Sequence, residues 1–243
     1  MQHILVYADS LSWGIIPQTR QRLPFEARWP GVLEIALNAE PRHSVKPDSA
    51  GQGGPPYGIQ EAAPPYGTGL SVRIIEDCLN GRRTVWDDPF KPGRNGLVGL
   101  AQRIEIHSPL ALVIIMLGTN DFQSMHPHNA WHAAQGMATL VEAVRQAPIE
   151  PGMPIPPVLI AAPPPIGTPQ GPIAAKFTGG AEKCTGLAAA YRDVAQSLDC
   201  PFFDTGQITS SSPVDGVHLD ADQHLALGKA LATVVEPLLA VEK

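Results

Sequence analysis

Residues 1–14, MQHILVYADSLSWG, decide how the rest of the chain is read. An apolar run from Ile4 to Ala8 breaks off at Asp9-Ser10, so a small hydroxyl follows what reads as a buried strand. A short run with no polar alternation suits a strand covered on both faces of a parallel sheet. Four more runs of this kind occupy 70–75, 110–117, 158–162 and 201–203. Helical segments are expected at 29–37, 96–107, 129–146, 179–198 and 221–240. In the fourth of these, Cys184, Leu187, Ala188, Tyr191, Ala195 and Leu198 recur at helical spacing and form a core-facing stripe.

Repeated strand-then-helix order predicts a doubly wound α/β domain with right-handed crossovers. In such sheets ligands bind beyond the carboxyl ends of the strands, beside the point where strand order reverses. The residues just past each strand therefore become the candidates for chemistry. Strand one ends at Asp9-Ser10; strand two leads into Cys78-Leu79-Asn80-Gly81-Arg82; strand three gives Gly118-Thr119-Asn120-Asp121. Before the last helix comes Val214-Asp215-Gly216-Val217-His218. Together these supply what acyl transfer needs: a hydroxyl, a glycine amide, a carboxamide, and a carboxylate with an imidazole.

The blocks ADSLSWG, CLNGRRT, VIIMLGTND and VDGVHL resemble, in order, those of the GDSL or SGNH hydrolases, closest to the small bacterial arylesterase and acyltransferase branch. FEARWPGVL, WDDP, GGAEKCT and PFFDTG extend the similarity over most of the chain outside 41–69. The resemblance implies a flavodoxin-like three-layer α/β/α fold around a five-stranded parallel sheet. It also implies a single domain over 1–243, interrupted by a Pro/Gly-rich insertion at about 41–69. By residue match, Ser10 falls on the nucleophile, Asp215 and His218 on the acid and base, and Gly81 and Asn120 on the oxyanion donors beside the Ser10 amide. Two departures stand out. Ala8 replaces a usual glycine, and Cys78-Leu79-Asn80-Gly81 departs from the family's pattern ahead of the oxyanion glycine, so Asn80, though next to Gly81, inherits no role.

Elementary chemistry points the same way. A serine hydroxyl attacks at neutral pH only with a base to take its proton. His218 is that base if an anion orients its other nitrogen, and Asp215, three residues earlier with Gly216 in the turn, is placed to do so. Backbone amides of Ser10 and Gly81 and the Asn120 carboxamide would then bind the oxyanion. Asp9 is expected to brace the turn through local hydrogen bonds, and Asp121 to act structurally. Trp13, Phe122 and Ile166, each after a strand end, are expected to line the acyl or alcohol pocket.

The expected activity is hydrolysis of short-chain or aryl esters through an acyl-enzyme, with acyl transfer to an alcohol as a second outcome. Carbohydrate acetylesterase or thioesterase activity is the nearest alternative, since one machinery serves any activated acyl group. A non-catalytic ligand-binding protein on the same fold is the alternative from another class. The absence of a GxSxG sequence speaks against an α/β-hydrolase elbow.

Composition narrows the partners. With 44% hydrophobic and 16% charged residues, the 243-residue chain can bury a substantial core. A net charge of −6, with Arg82-Arg83 the one adjacent basic pair of interest, offers no stripe for a nucleic acid. No run approaches the ~20 apolar residues of a spanning helix, and no charged leader with a long apolar stretch opens the chain. Three cysteines without CxxC spacing read as reduced thiols, so a cytoplasmic enzyme is expected, with no membrane partner. His126, His128 and His132 are close in sequence but lack Cys or acidic neighbours, so neither metal nor cofactor is expected. They read instead as loop histidines or a pocket wall. The segment 41–69, with PPYG at 55–58 and 64–67, is expected to be a surface insertion, a lid or an oligomer arm. The resemblance adds homo-oligomerisation as an expectation.

Overall fold

The computed structural model describes residues 1–39 and 70–240. The insertion at 41–69, and any role in covering the site or joining copies, lies outside those residues. Five strands form one parallel sheet: β1 (Gln2–Ala8), β2 (Val72–Cys78), β3 (Leu112–Met116), β4 (Val158–Ala162) and β5 (Phe202–Asp204), in the order β2-β1-β3-β4-β5. The register runs Leu5 to Ile75 on one side of β1 and Leu5 to Val113 on the other. β3 and β4 are buried at every position, as expected for strands covered on both faces. Each fully buried Ile, Leu or Val contributes about 1.5–3 kcal/mol of transfer free energy.

The helices are α1 (Ser10–Trp13), α2 (Trp29–Asn38), α3 (Leu100–His107), α4 (Ala130–Arg145), α5 (Gly180–Lys183), α6 (Leu187–Ser197) and α7 (Ala221–Ala240). α2 packs on α7, while α4 packs on α3 and α6. Right-handed crossovers put these two groups on opposite faces, because β1 to β2 and β2 to β3 progress in opposite directions across the sheet. That reversal sits between β1 and β3. The termini of these strands therefore flank the crevice in which such sheets bind ligands.

Three boundaries differ from the sequence reading. β2 runs on to Cys78 rather than stopping at Ile75, because the polar end of this edge strand is neutralised from outside the sheet. Glu76 pairs with Arg28 at 2.6 Å, and Asp77 with Arg82 at 2.6 Å and with Arg103. The first helical turn expected at 96–99 is a non-helical turn, and α3 starts at Leu100. The helix expected over 179–198 is two helices, α5 and α6, parted by a left-handed turn at Gly186.

One buried histidine ties the α2–α7 layer together. His224 is fully buried, and its Nδ1 accepts from the Trp29 amide at 3.2 Å, capping the start of α2. Burial, with the charges of Arg28 and His218, depresses its pKa from 6.5 to about 3. A depressed value means stability present above pH 6.5 and lost as pH falls toward 3. His224→Gln keeps an acceptor without the titration. Relative to that variant, the wild type should lose about 1.4 kcal/mol per pH unit below 6.5. Urea unfolding at pH 7.5 and 5.0 measures the difference; parallel curves would contradict it.

Candidate active site

The crevice is built first by the turn after β1. Asp9 caps α1, its Oδ1 accepting from the Leu11 amide at 3.0 Å, which fixes Ser10 at the first helical position. The second carboxylate oxygen of Asp9 accepts from Asn120 Nδ2 at 2.8 Å. Asp9 thus joins the end of β1 to the turn after β3, beyond the local brace expected of it. Burial raises its pKa to about 6, against the pull of the Leu11 and Asn120 hydrogen bonds.

His218 reaches the same place from the segment before α7. Its Nε2 lies 3.2 Å from Ser10 Oγ, and its Nδ1 is 2.6 Å from Asp215 Oδ2. Asp215 Oδ1 accepts from the amides of Val217 and His218, both at 2.9 Å. Burial alone would raise the Asp215 carboxyl. The hydrogen bond and charge of His218, with these amides, hold it below the usual range instead. Gly216 makes the turn feasible: its φ is +76°, and a Cβ there would sit 2.2 Å from the Thr168 carbonyl. The sequence reading supplied the turn; the close approach of 168 to 216 is tertiary.

Gly81 lies in the loop after β2 with φ +87°, a conformation that favours glycine. A Cβ here would meet nothing nearer than Arg94 atoms at 3.9 Å, so the backbone angle, rather than crowding, is what calls for glycine. Among the described residues, neither the Ser10 nor the Gly81 amide has a hydrogen-bond acceptor. Asn120 Nδ2 donates to the Arg82 carbonyl at 3.2 Å as well as to Asp9, while its Oδ1 accepts from Gln123 Nε2 at 2.7 Å.

The loop is held by buried cations. Arg82 stacks 3.9 Å over the Tyr7 ring and donates to the Ala8 carbonyl at 3.0 Å. Arg83, fully buried, pairs with Asp88 at 2.9 Å and donates to Gln123 Oε1. The adjacent arginines therefore anchor the site rather than face solvent. Asp121 works structurally, accepting from the Thr84 amide at 3.0 Å and from its hydroxyl, with a pKa raised by burial to about 7.

The expected pocket walls are elsewhere. A cavity holding Ser10, Gly81, Asn120 and His218 is walled by Ile15, Ile173 and Phe177. An adjoining cavity of about 220 Å³ shares Ile15, Arg20, Ile173, Lys176 and His218 with it and is lined by Asp215 rather than Ser10. Neither is lined by Trp13, Phe122 or Ile166. Trp13 lies beneath the Arg22 guanidinium at 4.7 Å, Phe122 is fully buried in the core, and Ile166 packs against Gly180 of α5. Position after a strand end selected those residues, whereas the apolar lining of these two cavities comes from the loop at 15–20 and from the 3₁₀ turn Gly171–Phe177. Asn80, given no role from sequence, lines the first cavity with a buried, unpartnered Oδ1.

His128 stacks on His126 and leans on the Trp86 ring 4.1 Å away, His132 meets Trp86 edge-on, and none of the three lines either cavity. Burial, with the other two rings, lowers His128 to about 4. Among the described residues no group of three or more His, Cys, Asp or Glu side chains is arranged to hold a metal ion. The cysteines are unpaired. No helix among the described residues is long and apolar enough to cross a membrane.

Solved structures with this architecture include an inhibitor-bound aryl esterase from M. smegmatis, 33% identical, covering 98% of this chain and 100% of that one at a TM-score of 0.82. A carbohydrate acetylesterase from Sinorhizobium meliloti is also 33% identical, with the same coverage and a TM-score of 0.81. A lipase/acylhydrolase from Enterococcus faecalis, 14% identical over 100% of both chains with a TM-score of 0.60, shares the fold alone. No curated protein matches. The family model described as GDSL-like lipase/acylhydrolase matches residues 48–227, a stretch that includes Asn120, Asp215 and His218 and begins after Ser10. With most of the chain matched by that model and its architecture shared with esterases of like length, the chain belongs to the GDSL-like lipase/acylhydrolase family and is a carboxylic ester hydrolase.

Proposed function

We propose that the enzyme hydrolyses short-chain or aryl esters through an acyl-enzyme on Ser10. What supports this most directly is the chain of contacts Ser10 Oγ to His218 Nε2 at 3.2 Å and His218 Nδ1 to Asp215 Oδ2 at 2.6 Å. In this reading His218 takes the Ser10 proton as Oγ attacks the ester carbonyl, and Asp215 holds the tautomer and stabilises the imidazolium. The amides of Ser10 and Gly81 bind the oxyanion. Asn120 joins them by releasing its longer bond, to the Arg82 carbonyl, and keeping the one to Asp9. His218 then protonates the departing alcohol. Water, activated by the same imidazole, attacks the acyl-enzyme and releases the acid.

A 4-nitrophenyl acetate assay tests this directly. A burst of nitrophenolate should accompany a 42-Da mass increase on the peptide carrying Ser10, and linear release without that adduct would reject the acyl-enzyme. Adding an alcohol to the same assay tests transfer: new ester formed in buffer supports it, and hydrolysis alone at every alcohol concentration rejects it. The likeness to the Sinorhizobium protein favours a second reading, deacetylation of acetylated sugars. Comparing kcat/KM for acetylated sugars, acyl-CoA and aryl acetates separates that reading and the thioesterase one from the first. The reading includes cytoplasmic residence, in keeping with three free thiols, and a homo-oligomer, which light scattering would reject by returning a monomer mass.

A further inference from the structure

The cavity over Ser10 carries more positive charge than ester cleavage requires. Arg20, Lys91 and Lys176 line it together with Ser10, Asn120 and His218. Arg20 and Lys176 also line the adjoining cavity, together with His218 and Asp215. Arg94 adds a fourth cation beside Gly81. Among the described residues none of these four forms an ion pair. The nearby acids are already engaged. Asp88 is bound to buried Arg83 at 2.9 Å and accepts from the Phe90 and Lys91 amides, and Asp215 is bound to His218. A chain of net charge −6 thus gathers unpaired cations at one opening. Partial burial, and then the neighbouring cations Arg94 and Arg20, lower the pKa of Lys91. Lys176 is lowered too, burial outweighing Asp88, with Arg83, Lys91 and Arg20 adding to the fall.

The loop bearing Arg20 is built at a conformational cost. Gln18 and Arg20 both hold left-handed backbone angles, φ 60° and 61°, each unfavourable for a residue with a Cβ. Such strain persists where the surroundings impose it, often at ligand clamps. Here the loop is closed by the bridge between Ile15 and Arg22. Gln18 Nε2 fastens it to the Val214 carbonyl at 2.6 Å, next to Asp215. Arg20 is therefore held relative to His218.

Since Arg20 and Lys176 line both cavities, the direction of proton transfer is what assigns them to one half of the ester. The departing oxygen takes its proton from His218 Nε2, so the alcohol half leaves on the His218 side. That side opens into the cavity of about 220 Å³ walled by Ile15, Pro172 and Ile173 and flanked by Arg20 and Lys176. We infer that the substrate's alcohol portion carries an anionic group, a carboxylate, sulfate or phosphate, held by Arg20 and Lys176 while the ester carbonyl faces Ser10. The inference rests on the esterase reading above and narrows it to acyl esters of anionic alcohols. Attraction between partly exposed charges is weakened by salt, so the preference carries its own signature.

The test compares kcat/KM for 4-acetoxybenzoate and its neutral methyl ester in low and high salt. The neutral ester has the better leaving group, so intrinsic reactivity works against the expected result. The wild type should favour the anionic ester by about tenfold or more at low ionic strength, an advantage reduced in 0.5 M NaCl as screening shortens to a few ångströms. The ratio should collapse toward parity in Arg20→Met/Lys176→Met and invert in Lys176→Glu. Labelling of Ser10 by a fluorophosphonate checks that each variant keeps its site. Equal or poorer use of the anionic ester by the wild type overturns the inference, as does a ratio unchanged in both variants. A preference seen only when the anion sits on the acyl side, as in 4-nitrophenyl hemiglutarate against the valerate, overturns the placement in the alcohol half. Hydrolysis of the neutral ester without any charge preference leaves the esterase reading standing, whereas hydrolysis of neither ester, with Ser10 unlabelled, ends both.

Discussion

Ser10→Ala should lower kcat for an aryl acetate by about 10⁵–10⁶-fold, the scale on which loss of a serine nucleophile acts elsewhere. The substitution deletes one oxygen whose hydrogen bond in the structure is to His218 Nε2. The cap from Asp9 to the Leu11 amide and the Asp9–Asn120 bond do not involve that oxygen, so the elbow keeps its shape. Ser10 is 6% exposed, and the change opens at most a hydroxyl-sized space. The melting temperature should therefore move little while turnover collapses. The remaining rate should still exceed that in water, because the backbone amides of residues 10 and 81 are unaltered and oxyanion donors act without the nucleophile. Stopped-flow assays with matched thermal melts measure both quantities. Wild-type turnover in the variant would remove Ser10 from the mechanism.

Asp215→Asn is expected to cost about 10⁴-fold in kcat. An asparagine fits the volume and can still accept from the Val217 and His218 amides through one oxygen. Its other terminal group donates, however, and so forces His218 Nδ1 to accept. The ring proton then resides on Nε2, facing Ser10 Oγ, and the imidazole cannot take the serine proton. Geometry is kept and the tautomer is wrong, so KM should change far less than kcat. In the wild type the Asp215 carboxyl is held below the usual range, and the pH–rate profile between about pH 5 and 9 should carry no step from it. A loss below tenfold would mean that Asp215 merely shapes the turn.

The site is split unevenly between what the primary structure announces and what folding creates. Ser10, Asn120 and the Asp215–His218 pair were legible because each follows an abrupt end of an apolar run or occupies a short turn-forming segment. In a parallel sheet these ends converge by topology alone. Gly81 was legible as a residue type, but its reason was not, since its left-handed backbone angle belongs to the folded loop after β2. The polar end of β2 escaped a reading based on apolar runs because its carboxylates are neutralised by arginines at 28, 82 and 103, far off in sequence or in another element. The pocket walls escaped for a related reason. The cavity's apolar lining, Ile15, Ile173 and Phe177, lies in a loop and a 3₁₀ turn without a periodic pattern, and Trp13 and Phe122 have other partners.

The amino-acid order by itself determined the layer architecture and the chemical inventory, since hydrophobic periodicity and strand-end punctuation are local properties of the chain. Only the tertiary structure decided the charge at the mouth of the crevice. Arg20, Lys91 and Lys176 are unremarkable apart, and their field exists because three separate segments, two loops and a 3₁₀ turn, bring them around one cavity. Coulomb interactions depend on distance through space, which sequence separation does not encode.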